Sequence, residues 1–321
     1  MPQERPEAML AVLGGEGNLR EERRCVMLDK AKWLEERRKG IGGSDAPAIC
    51  GVSSWRSPLQ VYFEKRGELA GPEDNEPMFW GRTLEPVIRQ RYADVTGRRV
   101  IVPDGIIRHP RHDWMLASLD GVAPDDKRVV EVKTARSPVG WGEPGTDEIP
   151  EAYLIQVQHY MAVTAYPVAD VAALIGGNDF RLYEVPADHE LQEILMEKEA
   201  EFWKMVQDGI PPDPMTFIDA KLRFGSVSKA AKVQATEEAV NAIVQLRLIK
   251  ELAKKEEALK AIIMLTLGES DTLVEGDKVL CTWKAGKGSK RFDVNGFKEF
   301  NPALFEQFYK EGEPSRRLLI K

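Results

Sequence analysis

The sequence predicts an α/β fold in which helices flank a mixed sheet, followed by a C-terminal extension of helices and a hairpin. Three observations carry that expectation. Runs of extended character cluster between residues 100 and 185, helical periodicities lie around and among them, and Pro211-Pro212-Asp213-Pro214 interrupts the pattern before a long helix. The expected organisation is a flexible N-terminal arm over residues 1–28, a main domain over 29–212 and the extension over 213–321. A chain of 321 residues is long enough for two domains and a sizeable buried core.

Residues 1–28 are polar and dotted with glycine (Gly14-Gly15-Glu16-Gly17), as befits an arm. From Asp29 a short helix is expected through Trp33 and Leu34 to Arg37-Arg38, stopped by Gly40. Ile41-Gly42-Gly43-Ser44-Asp45 then forms a tight turn into a helix, with Ser44 or Asp45 as N-cap and Pro47 in the first turn. Ser57-Pro58 repeats that signal. A third helix presents Leu84, Val87, Ile88, Tyr92 and Val95 at helical spacing and ends at Gly97, with Pro86 marking a kink or a start near Glu85. Strands are expected over residues 100–102, 105–108, 114–118 and 128–133. A helix over 151–164 follows, then strands over 168–175 and 180–185 joined at Gly176-Gly177-Asn178, and a helix over 188–207. The extension reads as a long amphipathic helix over 236–267, a hairpin over 272–284 and a last helix over 297–308.

Composition narrows the class. Hydrophobic residues make up 43% and charged residues 30%, the balance of a globular chain. No apolar run approaches the ~18 residues of a membrane span, and the N-terminus lacks the apolar core of a signal peptide. Cys25, Cys50 and Cys281 are odd in number and far apart, which excludes a disulfide framework and leaves a soluble cytoplasmic protein. The net charge of −7 argues against a polycation that coats nucleic acid. It divides unevenly: residues 1–228 hold 28 Lys+Arg and 38 Asp+Glu (−10), residues 229–321 hold 17 and 14 (+3).

The most informative segment is Ser118-Leu119-Asp120-Gly121, a polar turn, then Val130-Glu131-Val132-Lys133. Alternation places Glu131 and Lys133 on one face of a strand and Val130 and Val132 on the other. A turn centred between Asp125 and Asp126 sets Asp120 opposite Glu131. Directly opposed like charges are destabilising unless a cation lies between them. Lys133 is one candidate for it and a divalent metal the other. Oxygen ligands in a chain with four histidines suit Mg²⁺ or Mn²⁺ rather than zinc. Beside such an ion Lys133 could position or help deprotonate a water, or stabilise developing charge.

Five stretches in order share a pattern: residues 37–45 (Arg37 to Asp45), Gly81-Arg82-Thr83-Leu84-Glu85-Pro86, Ala117-Ser118-Leu119-Asp120-Gly121, Glu131-Val132-Lys133 and Gln156-Val157-Gln158-His159-Tyr160. Together they resemble the PD-(D/E)xK nuclease superfamily, and within it the lambda-exonuclease and YqaJ-like viral recombinase family. The resemblance implies a restriction-endonuclease-like core. It makes Asp120, Glu131 and the backbone carbonyl of Val132 metal ligands and Lys133 the catalytic lysine. Glu85 becomes the acid on a preceding helix that faces the metals, and Gln156 and Tyr160 a pair flanking the catalytic centre. Arg37, with Arg38 beside it, matches the arginine that contacts the 5′-phosphate of the substrate, and the helix starting at Ser44 would add backbone N–H groups.

The implied activity is Mg²⁺-dependent digestion of one strand of duplex DNA, 5′ to 3′, leaving a 3′ single strand for an annealing protein. A ring of copies around DNA is a further expectation. An endonuclease of the same fold, or a non-catalytic DNA-binding or annealing protein, is the alternative. Weaker features are the His109/His112 pair, the tryptophans Trp55, Trp80 and Trp141, and a basic hairpin end at Lys284, Lys287, Lys290 and Arg291.

Overall fold

The computed structural model describes residues 32–71, 74–226, 232–288, 290–310 and 318–319. The expected arm over residues 1–28 lies outside the described residues. The chain divides into two units, Met1–Ala220 and Lys221–Lys321.

The first unit opens with α1 (32–38) and β1 (Ile41–Gly42), followed by the short α2 (Ala46–Ile49), α3 (Pro58–Lys65) and α4 (Glu76–Thr96). Then come β2 (Ile107–Arg108), β3 (Met115–Ala117), β4 (Gly121–Ala123), β5 (Arg128–Ala135), α5 (Glu151–Thr164), β6 (Val168–Ile175), β7 (Asp179–Pro186) and α6 (His189–Asp208), and the boundary at Ala220 falls within α7 (Phe217–Phe224). The main sheet runs β4-β5-β6-β7, with β5 and β6 parallel and both outer pairs antiparallel. Its parallel pair needs a crossover, and α5 supplies it. A smaller sheet runs β1-β3-β2.

Both faces of the main sheet are covered, and β6, inside it, reads as a nearly continuous apolar run broken by Asp170. Val129, Val171, Ala173, Ile175 and Tyr183 pack with Val157, Tyr160, Met161 and Val163 of α5. Val130, Val132 and Ala172 pack with Ile88 and Tyr92 of α4, backed by Leu84. Burying a Val or Ile side chain stabilises by about 1.5–3 kcal/mol, so these two layers hold the sheet between helices. They also fix the orientation of β5: Val130 and Val132 face α4, leaving Glu131 and Lys133 on the α5 side.

Helix ends follow their sequence signals. Ser57 caps α3 in a reciprocal box with Gln60, and its hydroxyl also donates to Asp219 Oδ1 at 2.6 Å. Asp219 is fully buried, and its Oδ2 accepts from Met215 N and Thr216 N at 3.0 and 3.1 Å. Gly97 closes α4 in the left-handed region at φ 70°. The turn between β6 and β7 takes positive φ at Gly176 and Gly177.

Four expectations need correction. α4 begins at Glu76 under an Asn75 cap and runs through Pro86, which costs the Arg82 carbonyl its intrahelical donor. Its buried stripe is Leu84-Ile88-Tyr92; Val87 is 63% exposed, a turn-step away from the sheet, and Val95 is exposed in the last turn. Residues 100–102 contribute a single bridge, Ile101 to Val122, because Pro103 has no N–H to extend a ladder. The last helix is two helices.

The second unit contains α8 (Glu237–Leu267), the hairpin β8 (Thr272–Glu275) and β9 (Lys278–Thr282), α9 (Val294–Phe300) and α10 (Pro302–Phe308). Asn301 ends α9 and caps α10, since Pro302 cannot donate into the preceding turn. Thr236 caps α8, whose side chains are exposed along almost the whole helix.

Candidate active site

The hairpin β4–β5 pairs Gly121 with Val130, Val122 with Val129 and Ala123 with Arg128. Continued by one residue, that register sets Asp120 opposite Glu131, as the sequence predicts. Asp120 Oδ2 accepts the Val132 N–H at 2.9 Å, across the mouth of the hairpin. Glu131 Oε1 accepts from Lys133 Nζ at 2.6 Å and from Gln156 Nε2 at 2.8 Å. Gln156 Oε1 in turn accepts from Lys133 Nζ at 3.0 Å, and Gln156 Nε2 lies 3.1 Å from Tyr160 Oη. Gln156 and Tyr160 are one turn apart on α5, so a single helix face orients both the lysine and the acid. Glu131 Oε2 is buried without a hydrogen-bond partner among the described residues.

The electrostatics follow from that enclosure. Burial, and then the Glu131 charge, push the Asp120 carboxyl well above its ordinary range. Burial raises Glu131 as well, and the Lys133 ammonium only partly offsets it. Burial works against the Lys133 charge, yet Glu131 and Asp120 hold its pKa above the ordinary lysine value. Tyr160 is raised well above the usual phenol value by burial and by the same two acids, so it stays a neutral hydroxyl, and its oxygen accepts from Gln156 Nε2. Two acids and one ammonium leave the site short of positive charge.

Glu85 sits half-exposed on α4 and pairs with Arg89 at 2.7 Å. Arg89 Nη1 also donates to the Asp120 carbonyl at 2.9 Å, tying α4 to the residue that opens the hairpin. No group of three or more His, Cys, Asp or Glu among the described residues is arranged to hold a metal ion. The acids brought face to face are Asp120 and Glu131; Glu85, paired with Arg89, is near enough that its charge adds to the rise of both.

Asp120 also borders a pocket of about 170 Å³ whose lining includes Arg37, Gly43, Ser44, Ser118 and Tyr160. Arg37 Nη2 donates to Ser44 Oγ at 2.6 Å, and its guanidinium lies 4.9 Å from the centre of the Trp33 ring. A Cβ at Gly43 would come within 2.4 Å of the Tyr160 ring, so this position needs glycine for close approach rather than for a turn. Behind Arg37 lies Asp45, buried and in contact with Lys65 at 2.6 Å, Arg56 at 2.9 Å and Arg37 at 3.5 Å. Burial alone would raise this carboxyl; Lys65, Arg37 and Arg56 hold it far below the carboxylate range.

Arg38 is not brought to the pocket: its guanidinium lies toward Gly67, beyond the end of α3. Asp45 rather than Ser44 holds the N-cap position of α2, and its carboxylate accepts from Gly42 N instead of capping the helix. With four residues α2 is one turn, too short for an appreciable dipole, so any anion there is held by side chains and the Gly-Ser turn. His109 Nδ1 accepts from Arg111 N and His112 N, which makes the pair a loop staple. Trp141 is core, whereas Trp55 and Trp80 are exposed.

Sequence reasoning missed Arg89, Ser118, Tyr153 and the Lys65–Arg56 pair. Arg89 was legible as the i+4 partner of Glu85. Ser118 adjoins the acid motif. Tyr153, whose ring lies 4.8 Å from Lys133 Nζ, and the cations around Asp45 carry no local signal, because only the tertiary fold brings them in.

The YqaJ-like viral recombinase domain matches residues 32–167, which include every acid and amide of this site. The Bacillus subtilis (strain 168) protein described as uncharacterized protein YqaJ is 32% identical over 296 residues, 88% of this chain and 92% of that one. The chain belongs to the YqaJ-like viral recombinase family. Among solved structures, this YqaJ-like chain is similar to an alkaline exonuclease from Laribacter hongkongensis, at 21% identity and a TM-score of 0.46, over 56% of this chain and 94% of that one. A phage-related exonuclease from Haemophilus somnus 129PT is 15% identical with a TM-score of 0.44, over 53% and 95%.

Proposed function

We propose that this YqaJ-like protein is a Mg²⁺-dependent deoxyribonuclease, with Mn²⁺ able to substitute, that digests one strand of duplex DNA from its end. The observation that carries the reading is the buried, unpartnered Glu131 Oε2 beside the raised Asp120 carboxyl. Hard oxygen donors short of positive charge fit a divalent cation held by Asp120, Glu131 and the Val132 carbonyl. Such a cation supplies, when bound, an activated water and positive charge against the phosphodiester oxygens.

The chain's own residues do the rest. Lys133, held protonated by the acids, donates a hydrogen bond to the attacking water or to the developing negative charge; its raised pKa disfavours a role as base. Gln156 keeps that ammonium in place through its Oε1 while its Nε2 holds Glu131, and neutral Tyr160 accepts from the same amide. Arg37 and Ser44 take the terminal 5′-phosphate in the pocket next to Asp120, which sets the polarity as 5′ to 3′ and leaves a 3′ single strand. That strand suits an annealing protein in recombination, and a ring of copies would keep an acidic chain on a polyanion. The reaction belongs in the cytoplasm. No helix among the described residues is long and apolar enough to cross a membrane.

Linear duplex labelled separately at each strand end, incubated with and without Mg²⁺ beside covalently closed circular DNA, tests the reading. Metal-dependent release of 5′ nucleotides from linear DNA alone is the expected result. Cleavage of the closed circle would identify an endonuclease, and no cleavage of either substrate would leave a binding protein.

A further inference from the structure

Several exposed arginines of the first unit pair with acids: Arg82 with Asp74, Arg99 with Asp125 and Arg108 with Glu36. The segment of the second unit that leaves β9 holds a cluster of cations of another kind. Between Trp283 and Phe292 the chain carries Lys284, Lys287, Lys290 and Arg291 and no acid. All four are exposed, and among the described residues none makes a hydrogen bond or an ion pair. The rings that bracket them are also exposed, Trp283 by 48% and Phe292 by 72%. A Cβ at Gly286 or at Gly288 would meet nothing within 4 Å, so the chain at these two positions is uncrowded.

We infer that this segment, from Trp283 to Phe292, binds single-stranded nucleic acid. Four unneutralised cations match a polyanion, and each phosphate they neutralise releases a counterion. Cations alone would serve an acidic peptide equally well; the two exposed rings decide against it. A flat aromatic face is worth most against an unpaired base, and a duplex keeps its base faces stacked out of reach. Lysines interleaved with rings and glycines thus favour a strand whose bases are free. The inference goes beyond the nuclease reading and does not depend on it, because binding needs neither Asp120 nor a metal.

The test uses the full-length protein in EDTA and an oligothymidylate of about 20 nucleotides with a free 5′-hydroxyl and a 3′-fluorescein, followed by anisotropy across salt concentrations. Replacing both rings (Trp283→Ala with Phe292→Ala) is expected to weaken binding about tenfold or more. Trp283→Phe with Phe292→Tyr, which keeps the rings, holds affinity within about twofold and separates stacking from loss of fold. Replacing the four cations by glutamine lowers the slope of log K against log salt by up to about 3. Wild-type affinity and slope in both the ring-less and the charge-less variants would overturn the inference. So would charge-less protein that loses binding to polyglutamate while keeping its grip on the oligothymidylate. Digestion results leave either outcome untouched, since no cleavage occurs in EDTA.

Discussion

Asp45 and Glu131 are both buried acids of the same unit, and their surroundings differ in one respect. Asp45 touches three cations, Lys65, Arg56 and Arg37, and its carboxyl is held far below the ordinary range. Glu131 touches one, Lys133, shares the space with Asp120, and is raised. One acid is over-compensated and rigid; the other keeps an oxygen without a partner. The first arrangement compensates a buried charge within the fold, whereas the second, two acids sharing one ammonium, leaves room for a further cation. The same contrast recurs between Arg37, braced from behind and facing a pocket, and Arg89, consumed by Glu85 and the Asp120 carbonyl.

Substitutions can break that contrast. Glu131→Gln is expected to lower nuclease activity by about 10³-fold or more while leaving thermal stability equal or higher, because a neutral amide relieves an under-compensated charge. Retained digestion by this variant would sink the site. Asp45→Asn should do the reverse to stability, costing about 3–5 kcal/mol in urea unfolding, since three cations lose their common acid. Activity in that variant falls with the folded fraction.

A smaller effect sharpens the comparison from the metal side. Mg²⁺ or Mn²⁺ is expected to raise the melting temperature of the wild type but not of Glu131→Gln, and to leave Asp45→Asn with its full increment. A shift of equal size in Glu131→Gln would move the cation elsewhere. Arg37→Ala should erase the preference for 5′-phosphorylated over 5′-hydroxyl ends by about 10- to 100-fold, the worth of a charged hydrogen-bonded contact. An undiminished preference would separate the pocket from the DNA end.

The smallest effect belongs to His159, fully buried between Glu199 Oε1 at 2.8 Å and the Leu116 carbonyl at 2.9 Å. Burial lowers its pKa but Glu199 outweighs burial, and the net direction is up. A raised histidine contributes stability in full below its ordinary value near 6.5, and loses it as pH rises through the folded value. Melting temperature with Mg²⁺ present should therefore decline from pH 6 to alkaline pH, and His159→Gln should flatten the decline.

Much of this was legible in the sequence where the information is local. The turn at Asp125-Asp126 fixed the hairpin register, and the bounds of α5 and β6 follow from largely apolar runs ending at turn residues. Spacing put Gln156 and Tyr160 on one helix face, and the family resemblance supplied their place beside the acids. Pro86 misled, since α4 is held to the sheet by Leu84, Ile88 and Tyr92 strongly enough to carry a proline through. Asp45 read as a helix cap because its partners Lys65 and Arg56 come from other elements. Arg38 looked equivalent to Arg37, and one helical step turned it away from the pocket.

The bond from Ser57 to Asp219 has a practical side for anyone cutting this chain into pieces. The prolines near residue 212 invite a terminus there, yet the carboxylate that ties the start of α3 lies seven residues further on. A fragment stopped at Pro212 would strip Ser57 of that acceptor and open the buried floor on which Arg56 and Gln60 are arranged. Limited proteolysis or truncation that keeps residue 220 should give a first unit that folds; cuts ahead of Asp219 should give one that frays beside the Arg37 pocket.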